Sequence, residues 1–364
     1  MTRYLLAFAI LLSACTPRAE MVYDRSAAGI GQVEPIFYGT NRTTDGPGRD
    51  EQVHYGRIDV AVPPERAPGT ITFPKRGERP DPLRHFLVTQ QLSYNNSRSF
   101  QAQVNQAIRH QPAGARAAIL FVHGYNNTFA EGLYRFAQVS HDLKMPGVDV
   151  HFSWPSRGQP LAYAADRDSV LFSRDGLEET IRALTRSEAR DVIIIGHSMG
   201  SELVMESLRQ IALKGDRSTL NRIEAVVLMS PDLDVDVFRM QAKAIGELPD
   251  PFLIFTSSQD KALRLSARLA AEPVRLGSLG DPRRVSDLKV TLIDVGAFNT
   301  GDGHFNAATS PALMSILSQV GSISTAFSAD GGQVGLFTGA ALTVERAAQI
   351  VLVPGQGLTP DFLR

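Results

Sequence analysis

A serine flanked by two glycines stands between a predicted strand and a predicted helix. Residues 192–200 read VIIIGHSMG, and the run of β-branched apolar residues predicts a strand that is buried on both faces. The apolar spacing of residues 201–211 predicts a helix directly afterwards. A strand, G-x-S-x-G and a helix in this order form a sharp turn that exposes the serine hydroxyl, and the flanking glycines let the helix pack close to the strand. The sequence therefore predicts Ser198 as a nucleophile.

A serine nucleophile needs a base within hydrogen-bond reach and a carboxylate that orients the base. Where serine stands on such a turn, the acid and then the histidine follow it along the chain. His304 lies in a glycine-rich loop, GDGHF, after the last predicted strand, and is the expected base. His197 neighbours the serine, so its side chain is expected to point away from the reaction. His123 precedes the serine and is expected to brace its own loop by a hydrogen bond.

Two aspartates compete for the role of the acid. Asp260 follows the predicted strand at 251–257, and Asp232 follows the preceding strand at 223–229. Asp232 has a structural alternative, because it could cap a predicted helix over residues 235–245. The sequence favours Asp260 and leaves Asp232 as the second candidate.

An oxyanion hole requires two backbone N–H groups directed at the developing charge. The first is expected from Met199, which follows the nucleophile. The second is expected from Tyr125, in the HGYNN loop after the predicted strand at 117–122. The side-chain amide of Asn126 is a possible addition to this pair.

Strands alternate with helices along the part of the chain that carries these residues. This alternation predicts a mostly parallel sheet flanked by helices on both faces, with ligands at the carboxyl ends of the strands. Further predicted strands cover residues 148–154 and 288–295, and predicted helices cover 99–109, 129–143, 167–184, 235–245 and 311–320. An antiparallel set of strands is expected before them, at residues 35–42, 53–63, 69–74 and 86–93.

Composition and charge restrict the class of protein. The chain has 364 residues, 43% hydrophobic, and a formal net charge of -1, so it offers no electrostatic case for binding nucleic acid. Its histidines lack metal-ligand spacing such as H-E-x-x-H, and neither a metal nor a cofactor is expected. The oligomeric state is not determined by these features.

The N-terminus resembles a bacterial lipoprotein signal. Arg3 precedes an apolar stretch at 4–12, too short to span a bilayer, and the stretch ends in LSAC with the chain's single cysteine, Cys15. The resemblance implies cleavage after residue 14, lipidation of Cys15 and membrane attachment through its acyl chains, with an ordinary secretory signal as the alternative. Since Thr16 replaces the aspartate associated with inner-membrane retention, the expected location is the outer membrane of the bacterial cell envelope, facing the periplasm.

Six short motifs in a fixed order resemble the α/β-hydrolase superfamily: HGYNN, FSWPS, GHSMG, SPD, SQDKAL and GHFN. With the N-terminal YGTNR element they look closest to an uncharacterised bacterial esterase/lipase-like family, over roughly residues 34–320. The resemblance implies an α/β-hydrolase fold, a Ser198–Asp260–His304 triad and hydrolysis of a small-molecule ester or lipid. Trp154, in FSWPS, is expected either to line the substrate pocket or to pack in the core.

The expected domain organisation follows from these boundaries: a signal peptide at 1–14, a flexible tether at 15–33, a hydrolase domain at 34–320 and an extension of unassigned role at 321–364, with a helix-like run at 340–351. Acyl transfer or peptide hydrolysis would use the same triad. A non-catalytic envelope-binding lipoprotein is the remaining alternative.

Overall fold

A mixed β-sheet runs through the chain in the computed structural model, which describes residues 18–43, 46–270, 274–298, 304, 309–310 and the backbone of 343–344, 347–353 and 357–359. The strands are β1 (Gln32–Arg42), β2 (Arg49–Val62), β3 (Leu87–Tyr94), β4 (Ala117–Val122), β5 (Val148–Ser153), β6 (Asp191–His197), β7 (Ile223–Met229), β8 (Phe252–Thr256), β9 (Val290–Asp294), β10 (Thr343–Val344), β11 (Ala347–Val353) and β12 (Gly357–Thr359). The helices are α1 (Ser97–His110), α2 (Phe129–Leu143), α3 (Tyr163–Phe172), α4 (Arg174–Thr185), α5 (Met199–Leu213), α6 (Arg217–Leu220), α7 (Val235–Ile245) and α8 (Lys261–Leu269).

The centre of the sheet is parallel. Its order is β9-β8-β7-β6-β4-β5-β1, and every neighbouring pair in that series is parallel. Beyond β1 the sheet continues with β2, antiparallel to β1, and β3, antiparallel to β2, and β11 extends the other edge parallel to β9. The predicted fold class, a mostly parallel sheet with an antiparallel N-terminal set, is confirmed. Because the central strands are parallel, all of their carboxyl ends lie at one edge.

Both faces of the central sheet are covered. In β4, Leu120 and Val122 belong to one buried cluster, which includes side chains of α1, α4, α5 and α7, while Ile119 and Phe121 belong to a second cluster with α2. Successive side chains of a strand point to opposite faces, so a strand covered on both sides must be apolar throughout. This requirement explains the uninterrupted apolar runs from which the strands were predicted.

Three local predictions differ from the structure. Residues 69–74 do not form a strand: Gly69 has φ +81 and its N–H donates to Asp142 Oδ2 at 2.8 Å, so its backbone pairs with a side chain. The helix predicted over 167–184 is divided at Ser173 into α3 and α4. Part of the predicted run at 340–351 is strand β11, because it pairs with β9. The helix predicted at 311–320 lies outside the described residues.

Residues 18–31 are folded against the domain, although a flexible tether was predicted here. Arg18 pairs with Glu131 on α2 at 2.6 Å. The backbone of Val22 and Asp24 hydrogen-bonds to Val88, at the start of β3, at 2.8 and 2.9 Å. The exposed backbone of an edge strand accepts further partners, and Met21 and Val22 pack against buried apolar clusters. Signal residues 1–14 and Cys15 lie outside the described residues, and no described helix is long and apolar enough to span a membrane.

Candidate active site

Ser198 occupies a strained turn between β6 and α5. Its backbone has φ 52 and ψ -123, a conformation that non-glycine residues adopt at a cost of about 1–3 kcal/mol and that recurs at functional sites. The turn is held by β7 and the loop after it: Ser198 N–H donates to Met229 O at 2.9 Å, and Ser198 O accepts from Asp232 N–H at 3.1 Å. These bonds hold the serine at the carboxyl edge of the sheet.

The glycines of this turn are required by close packing. An ideal Cβ on Gly200 would lie 2.4 Å from His123 O, and one on Gly196 would lie 2.9 Å from Ser201 Cα. Both distances are below any real Cβ contact, so a side chain at either position would push α5 away from β4 and β6. The G-x-S-x-G pattern therefore has a steric cause in this fold.

The structure brings Asp260 and His304 together. Asp260 is fully buried at the carboxyl end of β8, where its Oδ1 accepts the N–H of Leu263 at 2.9 Å and caps α8. Its Oδ2 lies 2.8 Å from His304 Nδ1. A carboxylate can only accept, so the Nδ1 of His304 carries the proton in this pair. This arrangement is the one in which a carboxylate orients an imidazole to act as a base through Nε2.

His197 lies beside the expected base. Its ring centroid is 4.9 Å from that of His304, whereas the sequence predicted that the side chain points away from the reaction. Burial and the nearby His304 lower the pKa of His197 well below the usual value, so its ring is neutral at physiological pH. The discrepancy arises because His304, 107 residues away along the chain, lies at this end of β6, which local sequence cannot indicate.

Asp232, the second candidate for the acid, is occupied by other partners. Its Oδ1 lies 3.1 Å from Nε of the buried Arg275 and accepts from Ser266 Oγ at 2.8 Å, and its Oδ2 accepts from the hydroxyl of Tyr163 at 3.1 Å. The expected alternative, that Asp232 caps α7, is wrong. Asp234 caps that helix by accepting from two backbone N–H groups. Arg275 and Tyr163 could not be predicted as partners of Asp232, because neither stands in a recognisable sequence pattern.

The HGYNN loop runs directly against the nucleophile. An ideal Cβ on Gly124 would lie 2.8 Å from Ser198 Cβ, so the chain carrying Tyr125 passes within contact of the serine. Met199 is the first residue of α5, where backbone N–H groups have no acceptor within the helix. The side-chain Oδ1 of Asn126 accepts from Arg18 Nη1 at 3.3 Å. The loop and the helix start thus meet at Ser198, and the oxyanion hole stays a prediction.

A buried arginine braces this loop from behind. Arg42, at the end of β1, donates to Asn127 O and Ser156 O, both at 2.9 Å, and to Ser153 Oγ at 2.9 Å. Burial lowers the pKa of Arg42 to about 9, and Asp166 opposes this effect, so the guanidinium stays charged at neutral pH. Arg42 closes the YGTNR element. That position could have signalled its role, since a charged residue at the end of a buried strand needs partners.

His123 and Trp154 complete the bracing. Their rings stack with centroids 4.9 Å apart and an interplanar angle of 9°, and Trp154 Nε1 donates to His123 O at 2.7 Å. His123 Nδ1 lies 2.8 Å from Gly124 O, which confirms the expectation that His123 braces its own loop. Trp154 is fully buried, so of its two expected roles it has the core-packing one. Among the described residues, no group of His, Cys, Asp and Glu side chains is arranged to hold a metal ion.

The strand order and the serine turn define the class of an α/β-hydrolase. A family model described as "Alpha/beta hydrolase of unknown function (DUF900)" matches residues 96–320, and the chain belongs to this family. A curated relative, the uncharacterized protein alr1448 of Nostoc sp. (strain PCC 7120), is 29% identical over 119 residues. That match covers 26% of this chain and 31% of the relative, so the chain spans about a third of the curated relative's length.

Solved structures of hydrolases are more distantly similar. A protein of Lactobacillus plantarum described as a cell surface hydrolase matches at 13% identity and TM-score 0.36, covering 56% of this chain and 89% of that one. A lipase-esterase related protein of Clostridium acetobutylicum matches at 14% identity and TM-score 0.25, covering 50% of this chain and 75% of that one. A fungal esterase of Rhizomucor miehei matches at 13% identity and TM-score 0.28, covering 93% of this chain and 79% of that one. The assignment to the superfamily therefore depends on the family match, the strand order and the serine turn.

Proposed function

We propose that this α/β-hydrolase is a serine hydrolase of carboxylic esters that uses Ser198, His304 and Asp260. The observation that carries the proposal is the 2.8 Å contact between His304 Nδ1 and the fully buried Asp260 carboxylate. Both residues lie at the edge of the sheet that also holds the strained Ser198. Capping of α8 uses only Oδ1 of Asp260, so this structural role does not account for the imidazole held by Oδ2.

The reaction proceeds through an acyl-enzyme. The Ser198 oxygen attacks the ester carbonyl while His304 Nε2 takes the hydroxyl proton, and Asp260 holds the resulting imidazolium. The N–H groups of Met199 and Tyr125 stabilise the oxyanion. His304 then returns the proton to the departing alkoxide, which leaves as an alcohol. A water molecule then attacks the acyl-enzyme while the same imidazole takes its proton. The acyl group leaves as the carboxylic acid, and His304 returns the proton to the Ser198 oxygen, which restores the hydroxyl.

Replacing the nucleophile tests this proposal. Ser198→Ala should lower kcat on p-nitrophenyl butyrate by about 10⁶-fold, as removal of a triad serine does elsewhere. Ser201→Ala is the matched control. It removes a buried serine hydroxyl one helical turn away, which donates to Gly196 O at 2.9 Å, and should retain activity. A fluorophosphonate probe should label the wild type and Ser201→Ala but not Ser198→Ala. Unchanged turnover in Ser198→Ala would contradict the proposal.

We also propose that lipidated Cys15 anchors this enzyme in the bacterial envelope, at the outer membrane facing the periplasm. The support is the LSAC sequence, with Cys15 as the single cysteine of the chain. Acyl chains contribute about 0.8 kcal/mol for each buried methylene, and more than one chain anchors stably. Metabolic labelling with radioactive palmitate should mark the wild type and not Cys15→Ser. Equal labelling of the two proteins would contradict an anchor at this residue.

A further inference from the structure

Three exposed leucines lie on two segments at the carboxyl edge of the sheet. Leu161, in the loop between β5 and α3, is 99% exposed, and Leu265 and Leu269 on α8 are 57% and 60% exposed. Both segments leave the carboxyl ends of their strands, on the same side of the molecule as Ser198. Single exposed leucines are ordinary on protein surfaces, but several beside a candidate active site indicate an interaction surface.

A buried carboxylate links these two segments. Asp232 accepts the hydroxyl of Tyr163, two residues beyond Leu161, at 3.1 Å, and it accepts the hydroxyl of Ser266 on α8 at 2.8 Å. The loop and the helix are therefore both tied to Asp232 and lie close to each other there. The inward-facing residues of α8 are Leu263, Ser266 and Ala267, and Leu265 lies on the outer side of the helix.

The charge of α8 is of one sign. The helix reads KALRLSARL, and its cationic residues Lys261, Arg264 and Arg268 are exposed and interspersed with the leucines. The helix contains no acidic residue, and within the described part of the chain these three cations form no ion pair. A helix with an apolar stripe and basic flanks favours the surface of an anionic bilayer, where leucines enter the acyl region and cations meet lipid phosphates.

We propose that this basic leucine rim, formed by Leu161, Leu265 and Leu269 with Lys261, Arg264 and Arg268, docks on an anionic lipid bilayer and that the enzyme's substrates are esters resident in that bilayer. The second half rests on the proposed ester hydrolysis. Asp260 immediately precedes Lys261, so docking of α8 brings the catalytic edge to the lipid surface. The charge of the rim selects anionic lipid over a zwitterionic or purely apolar partner.

Binding of vesicles tests the docking surface without catalysis. The full chain carrying Cys15→Ala, which removes the acylation site, is sedimented with phosphatidylcholine vesicles with and without one quarter phosphatidylglycerol. Each leucine that leaves water contributes a factor of up to about tenfold, so Leu265→Ser with Leu269→Ser should weaken binding to anionic vesicles by about tenfold to a hundredfold. Leu213→Ser is the matched control, because Leu213 is 63% exposed at the end of α5, at the opposite edge of the sheet.

Two substrates separate the docking surface from the chemistry. Wild type and the Leu265–Leu269 double variant should hydrolyse soluble p-nitrophenyl butyrate equally, and the double variant should be about tenfold or more slower on an ester embedded in anionic vesicles. Equal vesicle binding by the double variant and Leu213→Ser, or equal binding of the wild type to both kinds of vesicle, would overturn the docking surface. Failure of the wild type to hydrolyse either ester would overturn the proposed chemistry, and with it the substrate class, while the sedimentation result would still decide the docking.

Discussion

Two aspartates at the carboxyl edge should respond in opposite ways to replacement by asparagine. In Asp260→Asn the Oδ1 atom still caps α8, because asparagine caps a helix as well as aspartate does. The amide nitrogen, however, can only donate to His304 Nδ1, so the proton moves to Nε2, which can no longer take a proton from Ser198. Fixing the wrong tautomer costs about 10⁴-fold in kcat in a serine triad. The free energy of unfolding should change by less than about 1 kcal/mol.

Asp232→Asn should leave the chemistry in place and weaken the fold. Its carboxylate is the ion-pair partner of Arg275, whose side chain is 2% exposed, at 3.1 Å. Removing one member of a buried ion pair leaves an uncompensated charge and costs about 3–5 kcal/mol. The value of kcat on p-nitrophenyl butyrate should stay within about tenfold of the wild type.

Two measurements on each variant decide between these outcomes: kcat at saturating ester and urea unfolding monitored by circular dichroism. A loss of about 10⁴ in Asp232→Asn together with near-normal turnover in Asp260→Asn would refute the assignment of the acid. Should Asp232→Asn fail to fold, Asp232→Leu combined with Arg275→Met removes both charges and restores a neutral core. Activity of that double variant then provides the same test.

Three further substitutions test other features of the site. Gly124→Ala should lower kcat by about 10²–10³-fold in the ester assay, because its Cβ would lie 2.6 Å from His197 Nδ1 and displace the HGYNN loop, in which the oxyanion hole is predicted. Wild-type turnover would refute that role of the loop. The free energy of unfolding of Ser198→Gly in urea should be about 1 kcal/mol higher than that of Ser198→Ala, since glycine accepts φ 52 without strain. Equal stabilities of the two variants would show that the turn stores no backbone strain. Burial lowers the pKa of His151 to about 3, so the unfolded chain binds a proton between pH 6.5 and 3 that the folded chain does not. This group alone should therefore cost about 1.4 kcal/mol of stability for each pH unit of acidification in that range, and His151→Leu should show a correspondingly shallower loss; equal slopes would contradict the shift.

Much of the fold follows from local patterns. The apolar runs of β4 and β6 predicted their burial on both faces, and G-x-S-x-G between a strand and a helix predicted the turn at Ser198. The candidate site was predicted in part. Asp260 was favoured over Asp232, and the structure places Asp260 Oδ2 2.8 Å from His304 Nδ1 across 44 residues of chain. The roles of Ser198, Met199 and Tyr125 in catalysis stay predictions.

The sequence by itself determined the features that depend on residues close together along the chain, namely the strands, the helices, the serine turn and the order of the candidate residues. Tertiary structure alone decided which groups partner the buried charges. Arg42 contacts Asn127 across 85 residues, and Arg18 contacts Asn126 across 108, so local sequence can indicate that a buried arginine needs partners but not that its partners lie in the HGYNN loop. Residues 18–31 and 69–74 likewise depend on partners elsewhere, namely the edge of β3 and Asp142 on α2. Periodicity reports which side of an element is buried, but a hydrogen bond or an ion pair forms only when packing brings two distant segments within about 3 Å.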